Sequence, residues 1–303
     1  MDIKQLRYFT HVAELGSYTR ASEVIDVAQP VLSRQIRQLE IELRKNLLLR
    51  HGRGVVLTEA GEKLLKYSRE IIQLIDLAQE DLSQTDGQLT GHIVLGLPPT
   101  LAKLLSVEIV KQFKQEFPNA KLTLVEALTV NIEESMHLGR IDIALINSPT
   151  SAHQIKTKLV AAEQLCLICH IDDPVANGRE SIPLKDISHI PLILPSISNA
   201  FRTLLEKEMR KQDITPNIVW EIDSVSIIME LVAAGMGCAI LSPSAQHFVK
   251  KDLFKTLPIT NPCLQNHLYI ASSSKRRPTN LHIKVEQMLE KICQKYFPHS
   301  KPA

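Results

Sequence analysis

The chain has 303 residues, 44% of them apolar and 22% charged, with a formal net charge of +2. That length holds two or three compact units, and the composition is that of a folded chain, not a disordered one. So small a net charge excludes a global field that draws in nucleic acid, so any DNA binding must come from a local basic patch. The opening MDIKQLRYF has no apolar signal core. The longest apolar runs, near Leu165 to Ile171 and Leu231 to Leu241, fall short of the ~20 residues that cross a bilayer. No membrane partner is expected, and the expected location is the cytoplasm. Five scattered cysteines agree with that compartment. Cys166 and Cys169 form a lone C-x-x-C inside LCLICHI, an apolar run that reads as a buried strand. Residues three apart on a strand point to opposite faces, so packing is expected there and no metal or redox site.

A first helix is expected from about Ile3 to Leu15, with Leu6, Phe9 and Val12 inward and Gly16 as its stop. Thr19 reads as the N-cap of a short second helix, Arg20 to Ile25. The third helix carries Leu32, Ile36, Leu39 and Leu43 at steps of four, three and four, which is one helix face. Pro30 suits its first turn. Pro30, Ser33, Arg34 and Arg37 fall on the opposite face, and Gln29 stands at the helix start. Arg can fork onto guanine O6 and N7 or grip a phosphate, and Gln can bond adenine. From Ala28 to Val55, six basic residues (Arg34, Arg37, Arg44, Lys45, Arg50, Arg53) face two acids (Glu40, Glu42). Apolar runs at Leu47–Leu49 and Val55–Leu57 flank His51-Gly52-Arg53-Gly54 and read as a hairpin with Arg53 at its tip. Two helices joined by a tight turn, the second basic and outward-facing, followed by such a hairpin, make a winged helix-turn-helix.

Residues 1–65 resemble the DNA-binding domain of LysR-type transcriptional regulators. The resemblance rests on an ordered series: Leu6, Phe9, Gly16-Ser17, Thr19, Ala21, Gln29-Pro30, Ser33, Ile36, Leu39-Glu40, Leu43, Arg50, Arg53-Gly54, Leu57 and Thr58-Glu59-Ala60-Gly61. It implies that Gln29, Pro30, Ser33 and Arg34 approach bases or nearby phosphates, and that Arg50 and Arg53 hold the backbone and minor groove. Ala28 departs from the family's common serine, which removes a hydroxyl cap usually worth about 1 kcal/mol. Arg44 stands where a glycine usually ends the helix and must avoid or tolerate a left-handed conformation. Leu48 and Ser22 replace a common phenylalanine and alanine.

Thr58 reads as the N-cap of a long helix to about Gln84, with an apolar stripe of Leu64, Ile71, Ile75, Ala78 and Leu82. A single stripe on so long a helix wants a partner helix or its own chain. The resemblance favours dimerisation, in a homodimer or homotetramer. Residues 85–91 read as a polar hinge.

Thereafter strands alternate with helices: strands at His92–Leu97, Lys121–Glu126, Ile141–Ile146, Gln164–His170, Pro191–Leu194, Asn217–Glu221, Cys238–Leu241 and Asn266–Ala271, and helices at Leu101–Phe117, Asn131–Leu138, Asn199–Lys211, Val225–Ala234 and Asn280–Tyr296. This texture implies a mostly parallel, doubly wound α/β arrangement. The resemblance implies two lobes like those of periplasmic-binding-protein effector domains, with crossings near 162 and 267. The expected fold is thus α+β multidomain: a winged helix-turn-helix over 1–58, a linker or dimerisation helix over 59–87, and an effector-binding domain over 88–303. Its lobe I is 92–162 and 267–303, and its lobe II is 163–266.

Ligands of open α/β sheets collect at the carboxyl ends of strands, beside helix N-termini. The segments in that position offer Pro99 and Thr100, Thr129, Ser196, Ser198, Asn199 with Arg202 one turn on, and Ser224. Hydroxyls with an arginine suit a small carboxylate or similar anion, and each segment also reads as an ordinary N-cap. Gly235-Met236-Gly237 ends a helix and is no dinucleotide fingerprint. No G-x-S-x-G, Walker loop or H-E-x-x-H occurs, so neither catalysis nor a cofactor or metal is expected. Asp142, at a strand start, reads as structural. EIDSVSIIMELVAAGMGCAILSPSA and GLPPTLAKLL are similar to the nitrogen-assimilation-control subgroup. The expectation is a transcriptional regulator that binds double-stranded promoter DNA under a small-molecule effector, with RNA polymerase as a further partner. An effector-independent regulator and a soluble small-molecule binding protein are the alternatives.

Overall fold

The computed structural model describes residues 1–52, 54–83, 89–149, 155–197, 199–248, 251–273 and 278–297. The chain divides into two compact units, Met1–Gln88 and Leu89–Ala303. In the first, α1 (Ile3–Leu15) begins with a capping box between Asp2 and Gln5 and stops at Gly16, at φ 62°. α2 (Tyr18–Ile25) starts earlier than expected: Ser17, not Thr19, is its N-cap, with the amide of Arg20 donating to Ser17 Oγ at 3.3 Å. Ser17 holds an extended φ of −157°, which Thr19, inside the helix, does not. α3 (Gln29–Leu43) has no side-chain cap at Ala28 and ends at Arg44, which takes the left-handed conformation at φ 52°, ψ 36°.

β1 (Leu48–His51) and β2 (Gly54–Leu57) pair antiparallel, Leu48 opposite Leu57 and His51 opposite Gly54. The amide of Val55 donates to Gly16 O at 2.9 Å, which straps the hairpin to the end of α1. A Cβ on Gly54 would lie 2.5 Å from Gly16 O. Phe9, Val12, Ala21, Leu32, Ile36, Leu39, Leu47 and Leu65 form the shared core. α4 (Glu59–Ser83) is capped by Thr58, whose Oγ1 accepts from the amide of Gly61 at 3.0 Å. Its first turns turn inward: Leu65 and Ser68 are buried, Leu64 packs on the same core, and Arg69 pairs with Glu14 of α1 at 2.7 Å. Tyr67 and Leu74 are exposed, and Leu82 has no described side chain.

The second unit holds two mixed sheets. The strands of the first are β3 (Gly91–Leu97), β4 (Ala120–Glu126), β5 (Ile143–Asn147), β6 (Ile155–Gln164) and β13 (Gln265–Ser273), in the order β4-β3-β5-β13-β6. β3 runs parallel to β4 and β5, and β13 antiparallel to β5 and β6. The strands of the second are β7 (Cys166–His170), β8 (Ile182–Pro183), β9 (Leu192–Leu194), β10 (Ile218–Glu221), β11 (Cys238–Leu241) and β12 (Phe254–Thr260), in the order β10-β9-β11-β7-β12-β8. The strand expected at 164–170 is β7, which starts at Cys166, and Gln164 is instead the last residue of β6. β6, β8 and β12 were not expected. β6 is a sheet edge whose exposed Lys156 and Lys158 hide its pattern, and Pro258 interrupts that of β12.

α5 (Pro99–Glu116), α6 (Thr129–His137) and α9 (Asn280–Tyr296) serve the first sheet, and α7 (Ala200–Arg210) and α8 (Val225–Ala233) the second. Asp142 is structural in position: its Oδ2 accepts from the amide of Val94 at 2.9 Å and ties the start of β5 to β3. Cys166 and Cys169 diverge. Cys166 Sγ lies 3.5 Å from Gln164 O, whereas Cys169 meets Cys238 of the adjacent strand. Burial pushes the Cys166 thiol up to about 12.

Candidate functional site

In the first unit, burying Leu32, Ile36 and Leu39 of α3 decides what the helix shows outside. Pro30, Arg34 and Arg37 are exposed, and Gln29 and Ser33 are half-buried near the N-terminal end. The two acids of the segment are turned to other work. Glu40 Oε1 accepts from the amides of Leu47 at 2.7 Å and Leu48 at 3.2 Å, holding the turn that follows α3. Glu42 pairs with the N-terminal ammonium of Met1. Glu40 is the residue that a charge count misreads, since its carboxylate replaces missing backbone partners beyond the helix end. Neither Arg34 nor Arg37 meets an acid among the described residues. Arg50 occupies β1 opposite Val55, and Arg53 lies outside the described residues.

In the second unit a recess of about 370 Å³, counting its open mouth, lies where four helices begin. Pro98, Pro99 and Thr100 come from the start of α5, Leu128 and Thr129 from α6, Asn199 and Phe201 from α7, and Val225 from α8. Asn147, the last residue of β5, completes it. Thr100, Thr129, Asn147 and Asn199 are all buried. Helix N-termini present unpaired N–H groups and a positive partial charge. α7 and α8 use part of theirs, because the amide of Phe201 donates to Asn199 Oδ1 at 2.9 Å and that of Ile227 to Ser224 Oγ at 3.5 Å. α5 and α6 have no side-chain cap, since Pro98 and Leu128 stand at their N-cap positions without an acceptor group. The first turns of these two helices therefore offer donors at the recess that no N-cap side chain satisfies. No Lys, Arg or His is among the described lining residues.

The residues expected from sequence separate here. Pro99, Thr100, Thr129 and Asn199 line the recess. Ser224 caps α8 and bonds Ser226 Oγ at 2.9 Å. The amide of Ser196 donates to Asp223 Oδ1 at 2.9 Å, and hydrogen bonds from Ser196 hold the Asp223 carboxyl below its usual range. Arg202 is not among the described lining residues. Its Nε donates to Glu206 Oε1 at 2.7 Å and its Nη1 to Pro195 O at 3.1 Å, and Glu221 lies 3.7 Å away. Ser198 lies outside the described residues. Leu128 and Val225, which belong to the same strand-end segments, line the recess as well, whereas Asn147 and Phe201 were not expected. The signal for Asn147 was present: a carboxamide ends the otherwise apolar IALIN strand at the edge where α/β sheets bind ligands.

Two family models cover nearly the whole chain. One, described as bacterial regulatory helix-turn-helix protein, lysR family, matches residues 3–62. The other, described as LysR substrate binding domain, matches residues 86–292. The nitrogen assimilation regulatory protein nac of Escherichia coli (strain K12) is 30% identical over 246 residues, covering 81% of this chain and 79% of that protein. A full-length OxyR variant from Pseudomonas aeruginosa superposes with a TM-score of 0.79 at 22% identity, covering 97% of this chain and 95% of the other. Full-length CbnR, solved with its target DNA, gives 0.68 at 20% identity over 97% of this chain and 100% of the other.

Proposed function

The chain belongs to the LysR-type transcriptional regulators, and from that premise we propose how this member reads DNA and what controls it. Gln29, Pro30, Ser33, Arg34 and Arg37 of α3 enter a major groove, with Arg34 the principal base-reading group. Arg50 and Arg53 hold the phosphate backbone and the adjacent minor groove. α4 pairs with a second copy, so that a homodimer or homotetramer reads two half-sites, as specificity requires of so small a reading module. The protein works in the cytoplasm, contacts RNA polymerase at the promoter, and binds its effector without turnover.

The effector is a small organic anion seated in the recess. The observation that carries this reading is the pair of uncapped N-termini, α5 and α6, opening into one recess beside buried hydroxyls and carboxamides. An anion there completes two helices at once, and helix ends bind anions without a basic side chain. This shifts the sequence reading from Arg202, which is engaged with Glu206, toward backbone amides with Thr100 and Thr129. Effector binding regulates only if it favours one arrangement of the DNA-binding units over another. The test is footprinting of the full-length chain on the DNA flanking its gene, with and without small carboxylic acids. Protection whose length or position changes with one acid supports the proposal. Protection indifferent to every acid that raises the melting temperature contradicts it.

A further inference from the structure

We propose that Asn147 selects the effector by reading a second oxygen on the acid, and that Asn266 positions it for this task. The inference rests on the anion reading of the recess. Asn147 closes β5, a strand whose five residues are all buried, and it alone among them lines the recess. Its Oδ1 accepts from Asn266 Nδ2 at 3.0 Å, with Asn147 6% and Asn266 1% exposed. That bond fixes which end of the Asn147 carboxamide remains. Its Nδ2, with two N–H groups, has no acceptor among the described residues. Asn266 Oδ1 is buried without a hydrogen-bond partner among the described residues. Packing alone favours apolar residues over a carboxamide pair that leaves a buried acceptor unsatisfied, so the pair needs another reason.

Position supplies that reason. Asn266 is the second residue of β13, where the chain re-enters the first sheet, and it lies opposite Glu163 on β6, two residues before the chain crosses to β7. Glu163 in turn accepts from Ser242 Oγ at 2.9 Å and Ser244 Oγ at 2.7 Å, beyond β11 of the second sheet. The group facing the ligand is thus held by the strand through which the two sheets are joined. The backbone amide of Asn147 donates to Thr129 Oγ1 at 3.4 Å, so the Thr129 hydroxyl proton remains available to the recess. A carboxylate on the helix ends, a keto or hydroxyl oxygen within reach of Asn147 Nδ2, and a short carbon skeleton against Leu128, Phe201 and Val225 define the ligand class. It is a small 2-oxo or 2-hydroxy acid.

Pyruvate and propionate differ by the one oxygen in question and serve as probes of the full-length chain, by calorimetry and thermal shift. Wild type binds pyruvate about tenfold more tightly than propionate, the effect of one well-made hydrogen bond. Asn147→Ala binds both acids about equally. Asn266→Ala loses part of the preference. General loosening of the fold weakens both acids together and leaves the ratio unchanged. Where Asn147→Ala does not fold, Asn147→Ser is measured in its place. Equal binding of the two acids by wild type, or an unchanged ratio in the folded variants, overturns the role of Asn147 and leaves the anion reading intact. Failure of both acids to bind wild type overturns the anion reading and this inference with it.

Discussion

Arg44→Gly should stabilise the DNA-binding unit. Arg44 closes α3 at φ 52°, ψ 36°, with its amide donating to Ile41 O at 3.2 Å and that of Lys45 to Glu40 O at 3.1 Å. A side chain in the left-handed region costs roughly 1–2 kcal/mol from contact between Cβ and backbone. Glycine avoids that contact but gives back about 0.4–1 kcal/mol through the freedom it gains when unfolded. The difference leaves a gain of about 0.5–1 kcal/mol. For a unit the size of Met1–Gln88 that is roughly 2–8 °C in melting temperature. The assay is thermal unfolding of the full-length chain followed by far-ultraviolet circular dichroism and by tryptophan fluorescence. Trp220, the only tryptophan, lies on β10 of the second unit and so reports that unit. The gain should appear in the circular-dichroism transition of the first unit and leave the fluorescence transition in place. Arg44→Ala keeps the backbone cost and should show no gain. A destabilised glycine variant, or an alanine variant as stable as glycine, refutes the reasoning.

Gly61→Ala should act in the opposite direction. A Cβ there would sit 2.1 Å from Leu47 O, so α4 must move off the hairpin, at a cost of about 1–3 kcal/mol or more, read as a lower urea midpoint for the first unit. Glu163 should make stability fall with pH. Burial raises its folded pKa above the unfolded 4.5, so no penalty exists below about pH 4.5. The penalty grows as pH rises through the folded value. Glu163→Gln should therefore gain on wild type from acid to neutral pH in parallel urea titrations, and a constant difference would refute the assignment. The double variant Arg50→Ala, Arg53→Ala should reduce the slope of log affinity against log salt by about 2, and an unchanged slope removes the wing from the backbone contacts.

The sequence spoke most clearly where one period governs a whole face. Leu32, Ile36 and Leu39 announced α3, and their burial alone turns Arg34 and Arg37 outward. It spoke less clearly where partners lie far along the chain. Ser17 and Thr19 are both sound N-caps, and only the backbone conformation at Ser17 chooses between them. β6 is an edge strand whose first half, Lys156-Thr157-Lys158, is polar and exposed, so its pairing with β13, over a hundred positions away, is invisible locally. The start of each helix that borders the recess was legible from strand-end positions. The fate of Arg202 was not, because Glu206 and Glu221 claim it through contacts that only the folded chain creates. Asn147 carried a signal, but its meaning depends on Asn266, brought beside it by β13.

The most direct test of the central claim is a quantitative footprint of the full-length protein on the DNA flanking its own gene, comparing wild type with Arg34→Ala. Two protected half-sites are expected for wild type, and for the variant a loss of sequence-specific affinity of about 1–3 kcal/mol with weak nonspecific binding retained. Protection of the same half-sites at wild-type affinity by Arg34→Ala would contradict the claim.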